Sequence, residues 1–489
     1  MKMGKKLLAV LLAATCISGV AGCKQTAGKP EITWCLPGSM TQIKEDNQQR
    51  VEDAANKIIA EAGIEATLKL KMIDNASFTE KMRLMSSSGE NYDLALTSSW
   101  LNPIDDNVNR GGFMELNELI DKYGSAIKEK VDERAWEAAE YNGKIMAIPS
   151  QNAYATTKSY VFKKDLVDKY NIDYKNIHTL EELESFLKVV KENEPGITPA
   201  FASQNRDIPG SENPDLTPVC SGLGWDEVNQ KLVYKYEDPV TLEKYRKVNE
   251  YYKKGYIAKD AAIKSDYMSE VKTGKYGVIS NPGIYTEDGS KSTNAYGYDC
   301  VESYISTTYM TTSSFQSTMT AVNSGSKNPE LAMQILNLVW ENPKLSNLLA
   351  YGIEGENYTV VDNSNPDMPE VSVKSGSEQT WGISHNYIGP LFDQWGSEWN
   401  SREAIENIMK TNHDAKTSGL YGFRLDKEPI KTKLVQISSI ITEVNQVFYT
   451  GSMSNFDEYV NEVNQRLKAA GIEDVYKEVQ SQIDAWKTK

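Results

Sequence analysis

Between residues 31 and 97 the sequence alternates strand and helix in a pattern that few folds accommodate. Residues 31–36 (EITWCL) read as a strand closed by Pro37-Gly38. Val51, Ala54, Ala55, Ile58, Ile59 and Ala62 then recur at helical spacing, and Gly63 stops that helix. Leu68, Leu70 and Met72 alternate with lysines as a strand does over 66–73, residues 78–85 are helical, and 92–97 (YDLALT) read as a buried strand. Strand, helix, strand, helix, strand predicts a parallel sheet covered by helices. Such sheets bind ligands beyond the carboxyl ends of their strands. Trp34 and the group Ser98-Ser99-Trp100 are expected at those ends.

The rest of the chain continues in the α/β class. Residues 145–149 (IMAIP) predict a short strand closed by proline, and Thr179 with Glu182 forms a capping box for a long helix ended by Pro195-Gly196. Residues 205–218 read as a loop, and 276–280 (YGVIS) as a strand meeting the turn Asn281-Pro282-Gly283. Asn328-Pro329-Glu330 opens a helix whose apolar face is Ala332, Ile335, Leu336 and Val339. Helices are expected over 435–448, 456–470 and 475–486, with Val475, Val479 and Ile483 as a core stripe. A chain of 489 residues predicts two or three domains.

The first residues carry an address. Lys2, Lys5 and Lys6 precede an apolar run over 7–20, too short to span a bilayer as a helix, and this reads as an export signal. Val20-Ala21-Gly22-Cys23 resembles the bacterial lipobox, which implies that residues 1–22 are removed and Cys23 carries the lipid. Residues 23–30 then form a polar tether. The formal charge of −15 becomes −18 on losing three lysines with the leader, an acidic balance without the footprint of a nucleic-acid binder. Apart from Cys16 and Cys23 only Cys35, Cys220 and Cys300 remain, too few for a disulfide framework, and a Cys220–Cys300 bridge stays open.

Several chemistries find no support. The chain has no H-E-x-x-H, G-x-S-x-G, Walker A or G-x-G-x-x-G pattern, and His178, His385 and His413 lie far apart. Asp362-Asn363-Ser364-Asn365 does not fit a calcium loop, so no metal and no cofactor is expected. A pair of carboxylates for glycoside hydrolysis is always available among 68 acids, so a hydrolase is an alternative that motifs do not remove.

Four segments share an order with one family. Asn142-Gly143-Lys144-Ile145-Met146-Ala147-Ile148-Pro149 resembles an "NGK-x-YG-x-P" segment, departing at Met146 where an aromatic is usual. LVDKYNID (166–173) with TLEEL (179–183), and GSKNPELAMQIL (325–336), resemble stretches that follow it. Residues 421–489, containing GFRLDKEPIK and AAGIEDVYKEVQSQIDAW, resemble the DUF3502 region. Together they resemble the extracellular solute-binding lipoproteins of bacterial ABC importers, carbohydrate type.

That resemblance implies an α/β, two-lobed periplasmic-binding-protein-like fold with an interlobe cleft, a multi-strand hinge and a helical C-terminal region. Lobe 1 would be 30–149 plus 321–362, and lobe 2 would be 150–320 plus 363–489. The chain would be a non-enzymatic monomer, lipid-anchored outside the cytoplasm, handing a saccharide to permease subunits. A peptide or amino-acid cargo is the alternative; it would need a buried Arg or Asp pair, and Arg110 and Arg206 are the nearest arginines. A sugar needs flat aromatics for its C–H face and fixed polar groups for its hydroxyls. The candidates are Trp34, Ser98, Ser99, Trp100, Gln151, Asn152, Tyr154, Trp225 and Tyr285, with one of Trp381, Trp395 and Trp399.

Overall fold

The computed structural model describes residues 28–38, 43–398 and 400–488. The leader, Cys23 and the start of the tether lie outside the described residues, as does Trp399. Among the described residues no helix is long and apolar enough to cross a membrane.

The first lobe is built on a five-stranded sheet in the order Thr67–Asp74, Glu31–Gly38, Leu94–Thr97, Met319–Val322, Ile148–Pro149. The first three strands are parallel, as their alternation with helices dictates. The helix Glu45–Glu61 buries Val51, Ala55 and Ile59 against this sheet. Met319–Val322, arriving from the other lobe, pairs antiparallel to Leu94–Thr97 and to Ile148–Pro149. The segment expected as one strand over 145–149 is split. Asn142 and Gly143, both at positive φ, turn a two-residue hairpin between Glu140–Tyr141 and Lys144–Ile145 before Ile148 joins the sheet.

The second lobe has a four-stranded sheet in the order Cys300–Thr307, Thr157–Lys163, Tyr276–Ser280, Thr198–Ala200. Its covering helix Leu180–Asn193 carries the Thr179/Glu182 capping box. A separate three-stranded sheet, Lys231–Tyr234, Leu223–Asp226, Leu216–Cys220, begins inside the segment expected to be loop. It shares a core with the C-terminal helices Lys431–Thr450, Phe456–Ala469 and Ile472–Lys487, where Val475, Val479 and Ile483 are fully buried. All three described cysteines are free, Cys35 and Cys300 buried and Cys220 half-buried.

The chain crosses between lobes near 150–156 and 308–318, and a last time near 415–420. Beyond the expected boundary at 362, packing continues with the first lobe. Trp381, Ile383 and Ile388 pack in the core of the first lobe, and Val371 and Val373 pack on Tyr351 and Tyr358. The reason is the helix Pro329–Glu341, whose Trp340 needs a cover. Gly389 supplies it at φ +124°, where an added Cβ would stand 2.6 Å from the indole nitrogen.

The C-terminal domain also reaches back across the crossings. The Arg424 guanidinium lies 3.8 Å from the ring centre of Tyr141 and donates to the carbonyls of Glu140 (2.6 Å) and Ala138 (2.7 Å). It thus caps the helix Glu133–Ala139 of the first lobe, satisfying carbonyls that a helix end leaves open.

Candidate functional site

In the second lobe Tyr276–Ser280 ends at the Asn281-Pro282-Gly283 turn, and Cys300–Thr307 ends where the chain leaves for the first lobe. A cavity of about 540 Å³ opens at this end of the sheet. Its second-lobe wall includes Asp215, Tyr285, Glu287, Tyr304 and Tyr309. The facing wall is the helix Arg402–Asp414, which presents Asn407, Lys410, Thr411 and Asp414.

That helix is oriented by its own sequence. Ser401 caps it by accepting from the Ala404 N–H, and Ala404, Ile405 and Ile408 turn inward. Near its end the buried Asn412 amide accepts from the N–H groups of Tyr154 (2.9 Å) and Ala155 (3.2 Å) and donates to the Asn152 carbonyl (2.7 Å). The first crossing thereby fixes which polar stripe faces the cavity.

The second-lobe wall is aromatic and hydroxylic. Tyr285 and Tyr304 meet edge-on with ring centres 6.5 Å apart, and Tyr304 remains 44 % exposed. The Tyr309 hydroxyl donates to the Asp215 carboxylate at 2.9 Å. Burial pushes the phenols of Tyr285 and Tyr309 up to about 12, with Asp215 adding to the second. Both keep their proton at neutral pH and remain donors. A smaller cavity of about 290 Å³ adjoins through Thr157 and is lined by Lys158, Arg206, Asp207 and Asn281. There the Arg206 guanidinium stands 4.7 Å from the ring centre of Tyr267. Flat rings beside fixed donors and acceptors can hold a polyhydroxylated ring by its face and rim.

Of the residues expected at the site, Tyr285 lines the larger cavity. Trp100, 59 % exposed, stands on the loop after Leu94–Thr97 and donates its indole N–H to the Ser317 carbonyl (2.8 Å). Ser99 is exposed beside it, while Ser98 is buried and shapes the turn by accepting from the N–H groups of Trp100 and Leu101.

The remaining candidates are engaged in packing or in hydrogen bonds with the chain itself. Trp34 sits mid-strand, opposite Leu70 and Leu94 and fully buried, because parallel pairing carries Glu31–Gly38 two residues past Leu36. Gln151 donates to the Lys130 carbonyl and accepts from the Phe392 N–H. Tyr154 packs on Phe315 with ring centres 4.5 Å apart and donates to the Ser150 carbonyl. Asn152 donates to the Ser317 and Thr318 hydroxyls. Trp225 is strand core under the C-terminal helices, with Lys487 over its ring. Trp381 is buried with its N–H on the Leu349 carbonyl, and Trp395 is half-buried against Tyr358.

Sequence reasoning missed Asp215, Tyr304 and Tyr309, and the helix wall. The wall had a readable signal. Asn407, Lys410, Thr411 and Asp414 recur at i, i+3, i+4 and i+7 beside an apolar stripe. His385 is buried against Asn347 and kept neutral, as burial lowers its pKa to about 3.

Comparison with known proteins adds the following. Residues 419–488 match the family model described as "Domain of unknown function (DUF3502)". A carbohydrate ABC transporter substrate-binding protein of Streptococcus pneumoniae serotype 4 is 29 % identical over 451 residues, covering 90 % of this chain and 88 % of that protein. The crystal structure of the N-glycan transport solute binding protein NgtS from Streptococcus pneumoniae superposes with a TM-score of 0.79 at 27 % identity, over 94 % of this chain and 99 % of that one. The same protein in complex with Man1GlcNAc gives 0.69 at 26 % identity, over 94 % of this chain and 100 % of that one. An extracellular solute-binding protein from Bifidobacterium longum subsp. infantis, 16 % identical with a TM-score of 0.61 over 93 % of this chain and 98 % of that one, shares the fold.

Proposed function

We propose that this chain, a member of the solute-binding proteins of ABC importers with a C-terminal DUF3502 domain, captures an oligosaccharide between its lobes and delivers it to a membrane permease. The observation that carries the reading is the cavity whose one wall is the Tyr285–Tyr304 pair and whose other is the Asn407–Asp414 stripe of the opposite lobe. A ligand touching both walls binds tighter when they approach, so it biases the lobes toward closure. The similarity to NgtS supports an open state here. It falls from 0.79 to 0.69 and 0.65 against the Man1GlcNAc and Man5GlcNAc complexes, over the same 94 % of this chain. A pocket of this chemistry acts by binding, and the relatives are transport components rather than enzymes.

The test is a thermal-shift panel on the leaderless chain, with oligosaccharides of several linkages, short peptides and free amino acids. Saturable stabilisation by one glycan class is expected, about 2.7 kcal/mol at a hundredfold excess over Kd, with the glycan recovered intact. Stabilisation by peptides alone would sink the saccharide reading, and glycan cleavage would return the hydrolase.

The protein works outside the cytoplasm, as its class does, and we infer that a lipid on Cys23 holds it at the membrane. The support is the Val20-Ala21-Gly22-Cys23 pattern behind an apolar run. Labelling with an alkyne fatty acid is expected to mark the wild type and not Cys23→Ser; equal labelling of both removes the anchor.

A further inference from the structure

We propose that a second compartment, where the C-terminal domain meets the second lobe, is a subsite for an acetamido-bearing end of the saccharide held in the cleft. The proposal rests on the saccharide reading above. The compartment measures about 420 Å³, within the range of ligand pockets. Leu216 and Pro218 form one side, and Ile441 and Tyr449 of the helix Lys431–Thr450 form the other. It shares Pro214 and residues 306–309 with the cleft cavity, so a single strand end borders both. A ligand lying over that strand end extends from one space into the other.

The two spaces differ in chemistry. The cleft presents Glu287, Lys410 and Asp414, whereas the compartment is largely carbon with one charged corner. There the Lys235 ammonium donates to the Glu212 carboxylate at 2.7 Å, and Lys158 stands 3.7 Å from its other oxygen. Burial pushes the Glu212 carboxyl up, and the two lysines more than offset it, holding it near 2. Glu212 is therefore a fixed acceptor beside fixed donors. An acetamido group suits such a space in all its parts. Its methyl meets the apolar walls, its N–H has a carboxylate to donate to, and its carbonyl has an ammonium to accept from. A bare hydroxyl would leave the apolar walls wet, and a plain alkyl group would leave the charged corner without a hydrogen-bonding partner from the ligand.

Cys220 lines this compartment and is half-buried, whereas Cys35 and Cys300 are 0 % and 3 % exposed, so its thiol reports occupancy without any transport assay. Burial pushes that thiol up to about 12, so iodoacetamide labelling is followed peptide by peptide at an alkaline pH, where the thiolate is more abundant. The probes are Man1GlcNAc and mannobiose, each with a parallel thermal shift. At about ten times its Kd, Man1GlcNAc is expected to slow Cys220 labelling about tenfold by mass action, with mannobiose leaving the rate unchanged. A thermal shift with Man1GlcNAc but unchanged labelling overturns the subsite and leaves saccharide capture standing. Equal protection by mannobiose overturns the acetamido assignment. No shift with any saccharide of the wider panel removes capture itself, and the subsite with it.

Discussion

Asn412→Ala lowers the unfolding free energy by about 2 kcal/mol and weakens saccharide capture in the same variant. The side chain is 4 % exposed and serves two N–H donors and one carbonyl of the first crossing. Alanine leaves the buried Ala155 N–H without a partner, at about 1–3 kcal/mol before relaxation, and leaves the Tyr154 N–H and the Asn152 carbonyl only the 3.1 Å bond between them. The backbone carbonyl of Asn412 keeps its bond from Arg134, so the helix Arg402–Asp414 stays attached but loses its fixed rotation. That rotation aims Asn407 and Lys410 into the cavity, which ties the stability loss to the binding loss. Urea unfolding with an unchanged m-value measures the first, and calorimetry the second. A loss below about 1 kcal/mol would mean that the crossing satisfies these groups without Asn412.

Tyr285→Ala weakens capture about thirtyfold, or about 2 kcal/mol, while the unliganded melting temperature stays within about 2 °C of wild type. Tyr285 follows a turn and has one aromatic neighbour in Tyr304, so its removal opens no cavity in a core. Its ring face is the apolar surface a sugar would cover. Tyr285→Phe keeps that face and loses one hydroxyl, so a loss below about fivefold is expected, the size of a single neutral hydrogen bond. Calorimetry on the glycan identified in the panel decides this. If Ala and Phe cost the same, the hydroxyl rather than the ring makes the contact, and if neither costs anything Tyr285 is no ligand residue.

The architecture was legible wherever a local period carried it. Val51, Ala55 and Ile59, the Thr179 capping box and the stripe Val475, Val479, Ile483 all face where their spacing points them. The burial of Trp34, Trp225 and Trp381 was illegible for a different reason. Whether a tryptophan is covered depends on elements far along the chain. Trp225, preceded by Gly222-Leu223-Gly224, looks like a loop residue until Ile437, Val444 and Val479, over two hundred residues away, close on it. Trp34 was displaced by strand pairing that runs through a proline and a glycine, Pro37 opposite Ile73 and Gly38 opposite Asp74. The boundary after residue 360 was illegible for the same reason, since only Trp340 and the sheet beneath it explain why Trp381 and Ile388 stay with the first lobe.

The Arg424 cap has a mechanical consequence. Chain crossings that lie side by side behave as a flexible ribbon, which can twist about its length as readily as it bends. Arg424 pins the far domain to Tyr141 and to the carbonyls of residues 138 and 140, alongside the second crossing, whose Gln316 donates to the same Ala138 carbonyl and Tyr141 hydroxyl. A fourth attachment beside the other three widens the ribbon, and a wider ribbon resists twisting more steeply than it resists bending. Closure about that line brings the two cleft walls together in register, with Tyr285 and Asn407 on opposite sides of the cavity.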